Sequence, residues 1–477
     1  SAISKDSLKN SLLELECHFT WTLSKEDVDL DELEETIYDQ IRFMIESNIQ
    51  NYNLLSYVCH LKNSNEEALR SLQNAEEDVK KNHPDEIARR SLVTWGNYAW
   101  VYYHMERYKE AQIYVNKVKK SCKKLSSTAG GTICLPEISA EKGWALLKFG
   151  RKYYERAKES FKNALQIEPN NPEFRAGYAI TMYRLEYHSH EEYEDEHTSI
   201  NLLKRAVELN PKATFVMSLL ALKLQDLGQA DEGEKYMEEA LQEAPCLPYV
   251  LRYAAKFYRR KGNVDKAVEV LEKALQITPS SSFLHHQLGL CYRAKLFSLG
   301  NTTGYTHQQE DNIIHQAIFH FKAALDRKTK FFCGHLDLAD MYAKAKQYEK
   351  AEEMFQKALQ INILSDNDQQ EFCYRYGNFQ LYHRKSESEA IRYYVKGLKI
   401  ETKSSYWILK IINALKKLLE RRIQRGLGDA TDFGTLGFVH NLNGQKQEAV
   451  ECYEQAIALC PDNEEYLSAL CELRLSI

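Results

Sequence analysis

Proline and glycine are scarce in this chain, nine and 20 of 477 residues, while 27% of residues are charged. With long stretches rich in Ala, Leu, Glu and Lys, that balance leans towards helix and leaves no room for a long disordered tail. The 44% of hydrophobic residues fall in short clusters. No run of about 18 apolar residues is present to span a membrane, and no leader-like segment is expected ahead of Leu8. The cysteines number 11, with no CxxC pair. This speaks against a disulfide framework or a zinc ribbon and for a reducing, cytoplasmic setting. Overall basicity is missing too: 63 Lys and Arg stand against 68 Asp and Glu, a formal charge of −5. A nucleic-acid site must therefore be a local concentration of cations. No P-loop, GxSxG, HExxH or dinucleotide-binding glycine pattern occurs, so no catalytic residues are nominated and the chain reads as a non-enzyme.

What is present is a period near 34 residues with small side chains at fixed places, the tetratricopeptide signature. Leu338, Ala339, Tyr342, Ala351, Phe355 and Ala358 form the cleanest copy. Ala157, Phe161, Ala164 and Pro169 repeat its second half, as do Ala267, Leu271, Ala274 and Pro279, and Ala449, Tyr453, Ala456 and Pro461. Nine to ten helix pairs are expected. A pair cannot bury its apolar stripe alone, so neighbours stack into an all-α superhelical solenoid enclosing a groove or tunnel. Three spans are expected: 1–240 with an end pocket, 241–403 lining the groove, and 404–477 closing the chain. An acidic stretch, Glu186 to Ser199, and a Gly/Thr/Gln-rich one, Ser298 to Asn312, break the period and read as surface loops. His188, His190 and His197 in the first are too irregularly spaced for a metal site. The segment Ser404 to Gly426 is a helix outside the count.

The chemistry concentrates on first helices. Tyr249, Arg252, Lys256 and Arg259 occupy an arc of about 80° at helical spacing, the arc that repeat phase turns towards the groove. Ala254, Ala255 and Tyr258 keep the packing places. In the next repeat Phe283, His286 and Arg293 take equivalent places, with Gln287 alongside. Cations mixed with aromatic and amide groups suit single-stranded nucleic acid, whose bases stack while its phosphates meet charge. Further towards the N-terminus, Lys148 occupies a place that normally holds a large apolar side chain, and Arg184 is placed similarly. Tyr154 opens the intervening helix, and Trp144 lies one turn from Lys148, at a place that also suits the core. A buried cation needs an anion: Glu141 and Glu173 are internal candidates, a terminal triphosphate an external one. Lys410, Lys416, Lys417, Arg421, Arg422 and Arg425 read equally as a guiding rim or as a solvated helix face. Lys119, Lys120, Lys123 and Lys124 read as a helix end complementing its dipole.

The strings LECHFTW, SLVTWGNYAWVYYHM, EKGWALLK, GYAITMYRL, RYAAKFYRRK, SSFLHHQ and CELRLSI make the chain resemble, along its length, the interferon-induced proteins with tetratricopeptide repeats. The resemblance implies an antiviral effector that sequesters foreign RNA by gripping its 5′ end in a positively charged tunnel, without sequence preference. It implies a pocket lined by Glu32, Thr36 and Gln40, with a Mg²⁺ ion bridging the RNA triphosphate near Glu32. It also implies contacts from Lys148, Tyr154, Arg184, Arg252, Tyr253, Lys256 and Arg259 to phosphates or first bases, continued by Phe283, His286 and Gln287. Cap-binding members carry an arginine where Thr36 stands, beside a tryptophan matching Trp144. Thr36 therefore places the chain closest to the fifth, triphosphate-preferring member. Members also carry a lysine within Ile45 to Asn48 that is absent here. Implied partners are single-stranded RNA with a 5′-triphosphate, possible cap-0 RNA, and proteins of the same family or of host antiviral complexes. The rival readings are a peptide-clamping scaffold, since most grooves of this kind bind acidic tails, and more distantly an RNA-cleaving enzyme.

Overall fold

The computed structural model describes residues 4–43, 47–129, 135–188, 198–361, 364–401 and 406–477. Among them there is no strand, and helices follow one another through short turns. After an N-terminal segment ending in the helix Leu30–Phe43, ten helical hairpins can be traced, the first formed by Ile49–Leu61 and Asn65–Asn82 and the last by Ala430–Leu442 and Lys446–Leu459. A lone helix, Tyr406–Gln424, precedes the tenth, and Glu464–Ser476 closes the chain. The chain gathers into two compact units, Ser1–Ala274 and Leu275–Ile477. No helix among the described residues is long and apolar enough to cross a membrane.

Local chemistry explains the helix ends. Pro136 and Pro248 open helices where a missing N–H costs nothing. Ser281, Thr306, Ser365 and Asp429 cap helices with a side-chain oxygen. Gly262 ends Pro248–Lys261 with a φ of +86°, a left-handed turn that favours glycine.

Repeat spacing explains the packing. Phe161 is fully buried between two first helices, and a Cβ on Gly143 or Gly177 would come within 2.7 or 2.2 Å of its ring. The small residues of the repeat are thus the space into which the large ones pack. In the first unit the core is joined by a buried polar ladder. Thr94 donates to Asn53 Oδ1 at 2.8 Å, and Asn53 donates to Glu141 Oε1 at 2.8 Å. These bonds link the first helices of three consecutive hairpins and hold Pro136–Lys148, which carries Trp144 and Lys148.

Two expectations need correction. The stretch Ser298 to Asn312 is mostly helical: Ser282–Leu299 runs into it and His307–Arg327, capped by Thr306, begins within it. Only 300–306 form a turn, because the apolar periodicity of both helices continues past the repeat's usual length. Lys119, Lys120, Lys123 and Lys124 do not end a helix, since Tyr108–Ala129 continues beyond them. Ile45, His190 and His197, and the side chain of His188, lie outside the described residues.

Candidate functional site

In the first unit, Lys148 and Arg184 come together as the repeat phase suggests. Lys148 ends the helix Pro136–Lys148 half-buried and donates to the neutral Oε1 of Gln40 at 2.6 Å. Its Nζ lies 5.9 Å from the centre of the Tyr249 ring. Arg184 donates to the Leu147 carbonyl at 3.3 Å and lies over the Tyr154 ring at 5.7 Å. Neither cation forms an ion pair with a carboxylate of the described residues. Burial, then the nearby Arg184, lower the Lys148 pKa to about 7. Burial raises the phenol of Tyr249, with Arg184 opposing it.

The acids proposed as internal partners are occupied elsewhere. Glu141 is buried and takes its hydrogen bond from Asn53; burial raises its pKa to about 7. Glu173 accepts from Gln50 Nε2 at 3.0 Å and from the Trp144 side chain. Trp144 is half-buried, with its ring edge-on to Phe161 at 5.2 Å between centroids. It therefore packs on the core on one side while keeping part of its surface open.

Gln40 brings the face of Leu30–Phe43 that carries Glu32, Thr36 and Gln40 to this cluster. The hydroxyl of Thr36 donates to the Glu32 carbonyl of its own helix at 2.9 Å. Along Pro248–Lys261 the expected division holds: Arg252 is exposed, Tyr249, Tyr253, Lys256 and Arg259 are partly so, and Ala254, Ala255 and Tyr258 are buried. Lys256 sits over the ring of Tyr187 at 5.4 Å. Burial lowers its pKa, helped by Arg260, Arg252 and Arg259 and opposed by Asp226. Tyr187 is not marked by the repeat because it lies at the start of the acidic insertion, where the period is lost although the helix Pro172–His188 continues.

The second unit treats the same residue types differently. His286 bonds Asp337 Oδ2 at 2.8 Å, and Arg293 pairs with Asp337 Oδ1 at 2.6 Å. Arg375 joins Asp337 at 2.7 Å, Asp340 at 2.5 Å and Glu371 at 3.0 Å. Burial opposes ionisation of Asp337, yet Arg293, Arg375 and His286 hold it well below the usual carboxylate range. His286 and Arg293, placed in the groove by sequence, are thus members of a compensated network. Gln287 is buried and Phe283 is partly exposed, its neighbour His285 turning inward to His320 at 3.0 Å. Asp337, which organises the network, was hidden among the apolar places of the cleanest repeat. Among the described residues, no three His, Cys, Asp or Glu side chains are grouped to hold a metal ion.

Repeating helical hairpins with small residues at fixed places define a tetratricopeptide-repeat protein, and tetratricopeptide-repeat models match residues 218–282, 336–363 and 433–463. The chain belongs to the family of interferon-induced proteins with tetratricopeptide repeats. It is 48% identical to the human antiviral innate immune response effector IFIT1, over 96% of this chain and 97% of that protein. It is 42% identical to human interferon-induced protein with tetratricopeptide repeats 2, over 95% and 96%. Among solved structures, the human IFIT1 dimer with PPP-AAAA is similar at a TM-score of 0.79 and 47% identity, covering 95% of this chain and all of that one. An IFIT1 monomeric mutant with Gppp-AAAA reaches 0.82 at the same identity and coverage.

Proposed function

We propose that this chain is an antiviral effector of innate immunity that captures single-stranded RNA by its 5′-triphosphate, without reading sequence, and withholds it from translation. The observation that carries this reading is the pair Lys148 and Arg184, brought together with neither in an ion pair with a carboxylate of the described residues. Desolvating two like charges side by side is unfavourable unless an anion arrives. A terminal triphosphate concentrates several negative charges where an internal phosphate offers one. The rings of Tyr154, Tyr249 and Tyr253 suit the first bases, and Arg252, Lys256 and Arg259 suit the following phosphates. The structures of IFIT1 with PPP-AAAA and with m7Gppp-AAAA support the same ligand class.

The protein acts by binding, in the cytoplasm, and needs no catalytic step. A Mg²⁺ ion near Glu32 belongs to the reading as an adjunct. Glu32 would hold the ion, with phosphate oxygens and water among its other ligands, as Mg²⁺ commonly accepts. Family members and host antiviral complexes are the proposed protein partners. A second reading, binding of cap-0 RNA, is favoured by Trp144: its open surface offers a stacking face, and Glu173 beside it offers an acceptor for a purine N–H.

The test is a titration of one RNA bearing in turn a 5′-hydroxyl, a triphosphate, a cap-0 and a 2′-O-methylated cap, each at two salt concentrations. Tight, salt-sensitive binding of the triphosphate form is expected. Equal binding of the cap-0 form adds the second reading. No preference over the hydroxyl form overturns end capture and leaves the peptide clamp in its place.

A further inference from the structure

The second unit contains a cavity of about 600 Å³ that the RNA reading does not use. One wall comes from the end of Asp366–Tyr382 and the turn that starts Glu387–Leu398, the other from the last turn of Tyr406–Gln424 and the residues after it. Four cations line it: Lys385, Arg421, Arg422 and Arg425. Glu387 is the sole carboxylate of the lining. Arg422 and Arg425 each reach it at 2.7 Å, while Arg421 stays at 3.8 Å. Behind the cavity, Arg422 is also held by Asp432 at 3.1 Å.

Glu387 and Asp432 therefore lock the two helices through Arg422, and positive charge is left over at Arg421 and Lys385. Arginine forks pair bidentately with phosphate, so the surplus suits a phosphorylated ligand. The remaining lining is Leu381, Tyr382 and Leu427 with the hydroxyls of Ser386 and Ser388. Tyr382 and Leu427 are each 55% exposed, so both are accessible from the cavity. A flat ring next to phosphate-binding cations is the combination that takes a base together with its phosphates.

We propose that this cavity is a nucleotide-binding site, with the base against Tyr382 and Leu427 and the phosphates at Arg421, Arg425 and Lys385. The nucleotide is either a free nucleoside triphosphate or an internal nucleotide of an RNA strand. The proposal is independent of the 5′-end reading, because no residue is shared.

The test uses the full chain carrying Arg184→Ala, so that end capture does not mask the site. Binding of a fluorescent nucleoside triphosphate, of inorganic tripolyphosphate and of a 5′-hydroxyl oligoribonucleotide is titrated separately. Saturable nucleotide binding, at least tenfold tighter than tripolyphosphate, is expected. Arg421→Ala with Arg425→Ala should weaken it at least tenfold, while leaving the Arg422 lock intact. Tyr382→Ala, which changes no charge, should remove the preference over tripolyphosphate. Tighter binding of the free nucleotide identifies a soluble ligand, and tighter binding of the oligonucleotide a strand. No saturable binding of nucleotide or oligonucleotide, tripolyphosphate binding as tightly as the nucleotide, or affinities unchanged by these substitutions would overturn it.

Discussion

Lys148 with Arg184 in the first unit, and Arg293 with Arg375 in the second, are the same kinds of side chain on the same kind of helix, yet they have opposite roles. Arg293 and Arg375 share Asp337, a carboxylate that is 4% exposed, and their charge is cancelled inside the protein. Lys148 meets the amide oxygen of Gln40 and the ring of Tyr249, and among the described residues no carboxylate pairs with it. The difference teaches that a basic residue on a repeat's inner face is evidence of a ligand only when its counter-ion is absent. Position alone does not distinguish a structural cation from a binding one.

The sharpest way to break this contrast is Asp337→Ala. It leaves Arg293 and His286 without their carboxylate, while Arg375 keeps Asp340 and Glu371, and should cost about 3 kcal/mol of stability, visible as an earlier unfolding transition in denaturant melts. Triphosphate-RNA affinity of the fraction still folded should change little. Arg184→Ala and Lys148→Ala invert the pattern. Each should weaken triphosphate-RNA binding by about a hundredfold, some 2.8 kcal/mol, while the melting temperature holds or rises because like-charge repulsion is relieved. A lowered melting temperature with affinity retained would instead make them structural.

The depressed Lys148 pKa yields a third effect. In the free protein Lys148 loses its proton above about pH 7, and a bound triphosphate restores it. Binding is therefore coupled to proton uptake, and affinity should fall by up to about tenfold per pH unit above 7. Calorimetry in buffers of different ionisation enthalpy measures that proton directly. For folding the sign is opposite to that of an ordinary paired lysine. The unfolded chain holds the proton up to its usual pKa, so this group makes the fold more stable as pH rises from 7 towards 10.

Glu141 is the acidic counterpart. Its pKa is raised to about 7, so the native state holds a proton that the unfolded state has lost, and stability falls as pH rises from about 4.5 to 7. Glu141→Gln keeps an acceptor for Asn53 without the charge. It should raise the melting temperature by about 2 °C at pH 8 and leave it unchanged at pH 4. The smallest effect is expected from Lys410→Ala. Lys410 lies over the rings of Tyr406 and Trp407 at 4.9 and 5.5 Å, so its loss should weaken RNA binding less than threefold.

Much of this was legible in the residues because a repeat ties identity to place. The spacing of Ala157, Phe161 and Ala164, and the glycines that admit Phe161, follow from helix geometry alone. So does the arc of Tyr249, Arg252, Lys256 and Arg259, whose exposure the structure reproduces. Where the period lapses, reading by place fails. Tyr187 has no repeat place to mark it at the edge of an insertion, two helices extend into Ser298 to Asn312 although its composition suits a loop, and a row of lysines suited to a helix end lies inside Tyr108–Ala129.

The helices, their pairing, the repeat array and the places of small side chains follow from the order of residues, because each depends on neighbours within about one turn or one period. That order also marks Lys148 and Arg184 as cations in unusual places. Which cations are compensated depends on how the helices pack. Asp337 lies 44 residues from Arg293 and 38 from Arg375, while Glu141, about two turns before Lys148 on the same helix, turns to Asn53 instead. Pairing of charge depends on distances of a few ångströms between separate helices, and a one-dimensional pattern carries no information at that scale.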